Sequence, residues 1–212
     1  LSAKLMSSIE QVLELEDPDL ALVHGDTTTA MISSLASFYK KVPVGHIEAG
    51  LRTHHRYSPF PEETNRQVIS KLANFHFAPT VLNERNLLEE GISQEAIFVT
   101  GNTVIDSIHS VIEKIDSDLI YKKELIALVE EELQFEISSN NYILITGHRR
   151  ENFGEGIENI CNALLIIANK YPHIYFIYPV HLNPNIEKPV LKILSKQKNI
   201  KLIKPMPYDV FC

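Results

Sequence analysis

The sequence has 212 residues, 44% hydrophobic and 22% charged, which is enough apolar material for one large domain or two small ones. A net charge of -7 argues against a nucleic-acid-binding surface, which needs Lys and Arg in excess on one face, but it leaves room for a local basic pocket around one phosphate-bearing small molecule. Cys161 and Cys212 lie outside any CxxC, so neither a disulfide framework nor a thiolate metal site is indicated and a reducing cytoplasm is the natural setting; no apolar run approaches the roughly 20 residues of a membrane span.

The spacing of Leu1, Leu5, Ile9 and Val12 predicts a helix that breaks at Asp17-Pro18, and Leu20 to Val23 then reads as a strand buried on both faces. HGDTTT follows as a polar turn, with a second helical stripe through Met31, Leu35 and Phe38 and a second apolar run from Val42 to Ile47. Strand, polar turn, helix, strand is the rhythm of a parallel sheet. A helix is expected from Glu62 to Leu72, a strand at Phe75 to Ala78, a helix from Asn83 closed by Gly91, and a strand at Ile97 to Val99.

An amphipathic stretch from Val104 and a charged helix from Tyr121 to Phe135 come next, and Ser138 to Asn141 mark a break. The pattern then restarts with a strand at Tyr142 to Thr146, the loop GHRRENFGEG and a helix striped by Ile157, Cys161 and Leu164. Ile174 to Val180 and Ile200 to Ile203 are two further strands. The expected fold is α/β, with two doubly wound halves that bind ligand at the carboxyl ends of their strands. The chain does not start with Met, opens on a helical pattern and stops at Phe211-Cys212 with no closing helix, so it reads as an internal piece cut at both ends.

Candidate chemistry concentrates at strand ends. Asp26 sits where the first strand meets a helix, in position to hold a carboxylate over a cleft, or else Asp26 or one of Thr27 to Thr29 simply caps that helix. Glu48 follows the second strand directly and so projects from the same sheet edge, while Arg52 is placed to pair with Glu48 or to meet a phosphate. In SPFPEETNR, Ser58 is a candidate cap, the prolines suit a first helical turn, and Glu62 and Glu63 fall where the helix dipole favours negative charge. An Glu62–Arg66 pair at i,i+4 would stabilise the helix by only about 0.3–0.5 kcal/mol, so pairing alone is a weak reason for the cluster.

The loop His148-Arg149-Arg150-Glu151-Asn152 joins a strand to a helix, and its cations and backbone N–H groups suit a diphosphate. His181 ends a later strand in YPVHLNP, where a turn at Asn183-Pro184 is the plainer reading. His54 and His55 are adjacent, and no HxH or HExxH spacing supports a metal, so none is expected.

VHGDTTT, GHIEAGLRT, SPFPEETNR, TGNTVID, TGHRREN and YPVHLNP, in this order, resemble the non-hydrolysing UDP-N-acetylglucosamine 2-epimerases across essentially the whole chain. The resemblance implies two Rossmann-like domains in a GT-B arrangement, each incomplete here, with residues 1–103 belonging to a carboxylate-bearing domain and 104–212 to a UDP-binding one. It implies a homodimer without cofactor or metal that interconverts UDP-N-acetylglucosamine and UDP-N-acetylmannosamine. The catalytic set carried over by motif is Asp26, Glu48, Glu62 and His148, with His148, Arg149, Arg52 and Asn152 at the substrate. A second UDP-N-acetylglucosamine, bound as an allosteric activator, would involve Glu63, Arg149 and His181. A GT-B glycosyltransferase and a non-catalytic UDP-sugar-binding protein are the rival readings. Two segments of the family pattern are missing, a Gly-Thr-Arg-Pro-Glu loop and a Ser-Gly-Gly-x-x-Glu-Glu segment, so the 212 residues alone are expected to be inactive.

Overall fold

The computed structural model describes residues 1–147 and 154–212, which fall into two compact units, Leu1–Asp106 and Ser107–Cys212. In the first unit the order is α1 (Ser2–Glu16), β1 (Ala21–His24), α2 (Thr28–Tyr39), β2 (Val44–Ile47), α3 (Glu62–Leu72), β3 (Phe75–Ala78), α4 (Val81–Glu89) and β4 (Ile97–Val99). The four strands are parallel and lie in the order β1-β2-β3-β4. Right-handed crossovers in such a run return each helix to one face.

The register sets Val23, His46, His76 and Ile97 in one row facing the helices, where Val23 and Val44 pack on Ala30 and Ile69 and Ala78 and Ile97 pack on Leu87. The opposite face carries Leu22, Phe75 and Phe98, and Gly45 beneath Leu22 and Phe77: a Cβ at Gly45 would lie 2.7 Å from Leu22 Cδ2.

The second unit runs α5 (Thr103–Ser117), begun in the first, then α6 (Leu119–Leu133), β5 (Tyr142–Leu144), α7 (Glu155–Lys170), β6 (Tyr175–Pro179), α8 (Pro184–Leu194), β7 (Ile200–Ile203) and a short α9 (Tyr208–Phe211). Its parallel sheet has the order β5-β6-β7; β6 and β7 are covered on both faces, while β5 is exposed along its length. Phe176, Tyr178 and Ile200 pack on Ile157, Cys161, Ile186 and Val190 of α7 and α8, while Ile177 and Ile203 pack on Leu133 of α6.

Three local features differ from the sequence expectation. Proline at 59 and 61 precedes α3 instead of entering its first turn; both peptide bonds, Ser58-Pro59 and Phe60-Pro61, are cis, and Pro61 is the N-cap. Ser58 therefore does not cap, and its carbonyl accepts from Thr53 Oγ1. Asn183-Pro184 opens a helix, with Asn183 Oδ1 accepting from Asn185 N at 3.0 Å and Pro184 in the first position, where its missing N–H costs nothing. Pro189 inside α8 hides that helix from a reading by pattern. The chain also closes on α9.

Candidate functional site

β1 and β2 are parallel neighbours, so the residues after them leave the same edge of the sheet. Gly25 adopts φ 70°, a conformation that favours glycine, and its N–H still bonds Ile47 O at 3.0 Å. Thr27 is the cap of α2, its Oγ1 accepting from Ala30 N at 3.1 Å. The cap is therefore a threonine and not Asp26, and the Asp26 carboxylate faces α3. Arg66 meets it with two nitrogens, Nε at 2.9 Å and Nη2 at 2.7 Å from Oδ2, and Asn65 Nδ2 donates to the Asp26 carbonyl at 2.8 Å.

Glu48 has φ 66°, uncommon for a residue with a Cβ and costing roughly 1 kcal/mol. The turn brings its carboxylate back over β1. Glu48 Oε2 lies 3.5 Å from where a Cβ on Gly25 would stand and 3.5 Å from His24 Nε2, a pairing that becomes ionic when His24 is protonated. A side chain at position 25 would press on that carboxylate.

On α3, residues 62, 65, 66 and 69 share one stripe. Ile69 is in the core, Asn65 and Arg66 hold Asp26, and Glu62 stands one turn above them at the helix start. Glu62 is half-buried and has no hydrogen bond or ion pair among the described residues. Its neighbour Glu63 is wholly buried. The Glu63 carboxylate accepts from Thr53 N at 3.0 Å, His54 N at 3.2 Å, Arg66 Nη1 at 3.1 Å and Gln67 Nε2 at 3.4 Å. Burial pushes this carboxyl up, but the Thr53 N–H, Arg66 and the His54 N–H outweigh it and hold it below the usual glutamate value.

Arg52, expected at a substrate phosphate or beside Glu48, is instead a structural cation. Its side chain is closed to solvent and grips Glu90 with Nε at 2.6 Å and Nη2 at 2.8 Å, while Nη1 donates to Leu51 O and Nη2 to Ser70 Oγ. A planar fork buried against a carboxylate satisfies charge and hydrogen bonds together, so it has no call on an external anion.

Under the corner lie His46 and His76, buried and paired in the β2–β3 register. His46 Nε2 is 2.8 Å from Gly25 O, and since a carbonyl only accepts, Nε2 carries the proton. Burial drives both imidazoles down to about 4, so they are neutral at pH 7. Sequence reading missed Asn65, His46 and Glu90, and set Arg66 against Glu62 where the structure pairs it with Asp26 and Glu63. The one available signal was the density of charge around Arg66.

In the second unit, a cavity of about 200 Å³ at the carboxyl ends of the strands is lined by Ile145, Gly147, Pro179, His181, Met206 and Phe211. Tyr178 is buried in the central strand and its hydroxyl donates to Gly147 O at 2.9 Å. His181 is exposed, and its Nδ1 accepts from Asn183 N at 3.1 Å. The expectations for His148, Arg149 and Asn152 fall outside the described residues. No cluster of three metal-ligating side chains, and no helix long and apolar enough to cross a membrane, occurs among the described residues.

The family model described as UDP-N-acetylglucosamine 2-epimerase matches residues 1–212. The chain is similar to the UDP-N-acetylglucosamine 2-epimerase of Campylobacter jejuni, 49% identical over all of this chain and 55% of that protein. It is equally similar, at 49%, to that of Neisseria meningitidis, again over 55% of its length. A Neisseria meningitidis UDP-GlcNAc 2-epimerase structure bound to UDP-GlcNAc superposes with a TM-score of 0.92 at 50% identity, covering 99% of this chain and 55% of that one. A UDP co-structure from S. aureus gives a TM-score of 0.86 at 41% identity, covering 99% and 54%. The chain thus spans about half the length of the relatives it matches.

Proposed function

The chain belongs to the UDP-N-acetylglucosamine 2-epimerase family, and from that premise we propose that the protein carrying it inverts C2 of UDP-N-acetylglucosamine, giving UDP-N-acetylmannosamine. The observation that supports this best is that Asp26 and Glu48 follow neighbouring parallel strands at one sheet edge while Glu62 begins the helix whose Arg66 holds Asp26. The C2 proton of the sugar is poorly acidic, so departure of UDP from C1 offers a way past the carbanion. Elimination to a 2-acetamidoglucal followed by re-addition of UDP requires a proton to leave one face of C2 and return to the other. Carboxylates on different elements can supply an acid and a base on opposite sides of the ring.

His148, Arg149 and Asn152 are proposed to hold the diphosphate. A second UDP-N-acetylglucosamine acts as activator through Arg149 and His181, and Glu63 enters that response through the 53–54 backbone that it grips. The working protein is a cytoplasmic homodimer whose product supplies activated N-acetylmannosamine for cell-surface polysaccharide.

Incubation of the full-length protein with UDP-N-acetylglucosamine in D₂O tests the reading. Deuterium at C2 with UDP still attached is the expected result, and Glu48→Gln should abolish it with the fold kept. Free N-acetylmannosamine would point to hydrolysis, and absence of exchange to a transferase or a binding protein.

A further inference from the structure

The corner that carries Asp26 is held more firmly than a turn between a strand and a helix requires. His46 Nε2 bonds the Gly25 carbonyl at 2.8 Å, Asn65 Nδ2 bonds the Asp26 carbonyl at 2.8 Å, and Arg66 brings two nitrogens to Asp26 Oδ2. Arg66 is itself fixed from behind. Its Nη1 bonds Glu63 Oε2 at 3.1 Å, and Glu63 is anchored in turn by the Thr53 and His54 N–H groups. The Arg66 side chain is only 13% exposed and that of Glu63 is fully buried, so the arrangement is not a mobile surface pair.

We propose that Arg66 is the positioning residue for Asp26 in the epimerisation, and that Glu63 aligns its guanidinium. The inference rests on the epimerase reading. Two considerations favour it over simple structural glue. Arg66 spends Nε and Nη2 together on one carboxylate oxygen, which fixes the direction of Asp26 and leaves Oδ1 as the oxygen able to meet a substrate proton. The stripe that carries Arg66 also carries Glu62, so any displacement of α3 would move both carboxylates relative to the sugar. A misplacement of about 1 Å at such a group is worth roughly 10²-fold in rate.

The test is Arg66→Ala in the full-length protein, with kcat, KM, Tm and rescue by free guanidinium ion measured together. The expected outcome is kcat lower by roughly 10²-fold with KM changed by less than about threefold, and partial recovery of kcat in guanidinium at concentrations too low to unfold the protein. Unchanged kcat overturns the proposal, as does a loss that guanidinium cannot relieve. Inactivity of the unsubstituted protein would instead sink the epimerase reading. A crystal structure of Arg66→Ala then decides the positioning role separately: Asp26 is expected to shift by about 1 Å or more, and an unmoved Asp26 overturns it.

Discussion

Glu62 and Glu63 are consecutive residues of α3, yet the first is half-buried with no side-chain partner among the described residues while the second is wholly buried with both oxygens bonded. Substitution should separate chemistry from folding within one turn of helix. Glu62→Gln is expected to leave stability within about 0.5 kcal/mol while lowering C2 exchange by about 10²-fold or more. Glu63→Gln is expected to lose about 3 kcal/mol of stability, because it breaks a buried charge pair and turns an amide toward backbone donors. Urea denaturation and deuterium exchange at C2, run on both variants, check the pair.

Acid should weaken the first unit well above the carboxylate range. His46 and His76 are held down to about 4 by burial, against 6.5 for the ordinary imidazole. The unfolded chain therefore binds more protons between these values, and stability is present in full above pH 6.5 and lost as pH falls toward 4. At pH 5 the two together should cost about 4 kcal/mol relative to pH 7.5. Glu63 adds to this only lower down, since its carboxyl lies below the glutamate value and its contribution disappears as pH falls through the folded-state value. Urea midpoints from pH 7.5 to 5 measure the slope, and His76→Leu should flatten it by about half.

Gly50 should tolerate no substitution. It has φ 85°, and a Cβ there would lie 2.2 Å from the backbone oxygen of Asn83. Its own carbonyl accepts from Asn83 Nδ2 at 3.2 Å and Asn86 Nδ2 at 2.9 Å, so the backbone cannot back away without breaking both bonds. Gly50→Ala is expected to lose about 3 kcal/mol or more, read as a fall in melting temperature. Gly91→Ala has the same sign of φ but nothing within 4 Å, and should lose about 1 kcal/mol.

Arg52→Lys tests whether the buried guanidinium serves structure. A lysine keeps the charge but cannot make the paired contact to Glu90 or reach Ser70 at the same time. Stability should fall by about 3 kcal/mol. The KM for UDP-N-acetylglucosamine, measured at a temperature where the variant is folded, should stay within about threefold.

Elements set by local pattern were legible in the sequence. The Glu62–Leu72 helix and the strands Phe75–Ala78, Ile97–Val99 and Ile200–Ile203 all lie where apolar spacing predicts them. That Asp26 and Glu48 leave the same edge also follows from a polar segment after each apolar run, although the first run, expected to be buried on both faces, leaves Leu22 60% exposed on the face away from the helices. Partnerships between distant segments were not legible: Arg52 and Glu90 are 38 residues apart and Asp26 and Arg66 are 40 apart, so no spacing rule links them. His46 and His76 stayed invisible for another reason. Each occupies a core position inside a strand where the pattern asks for an apolar residue, and only the sheet register shows that they stand side by side.

The three groups Asp26, Arg66 and Glu63 together carry one net negative charge when all are ionised. If Asp26 takes up a proton, the trio becomes neutral; on release it returns to a single negative charge. Proton traffic at this corner therefore never takes the net charge of the trio beyond one unit. Under the proposed elimination, the local field felt by the departing UDP would swing by one unit as Asp26 gains or loses its proton.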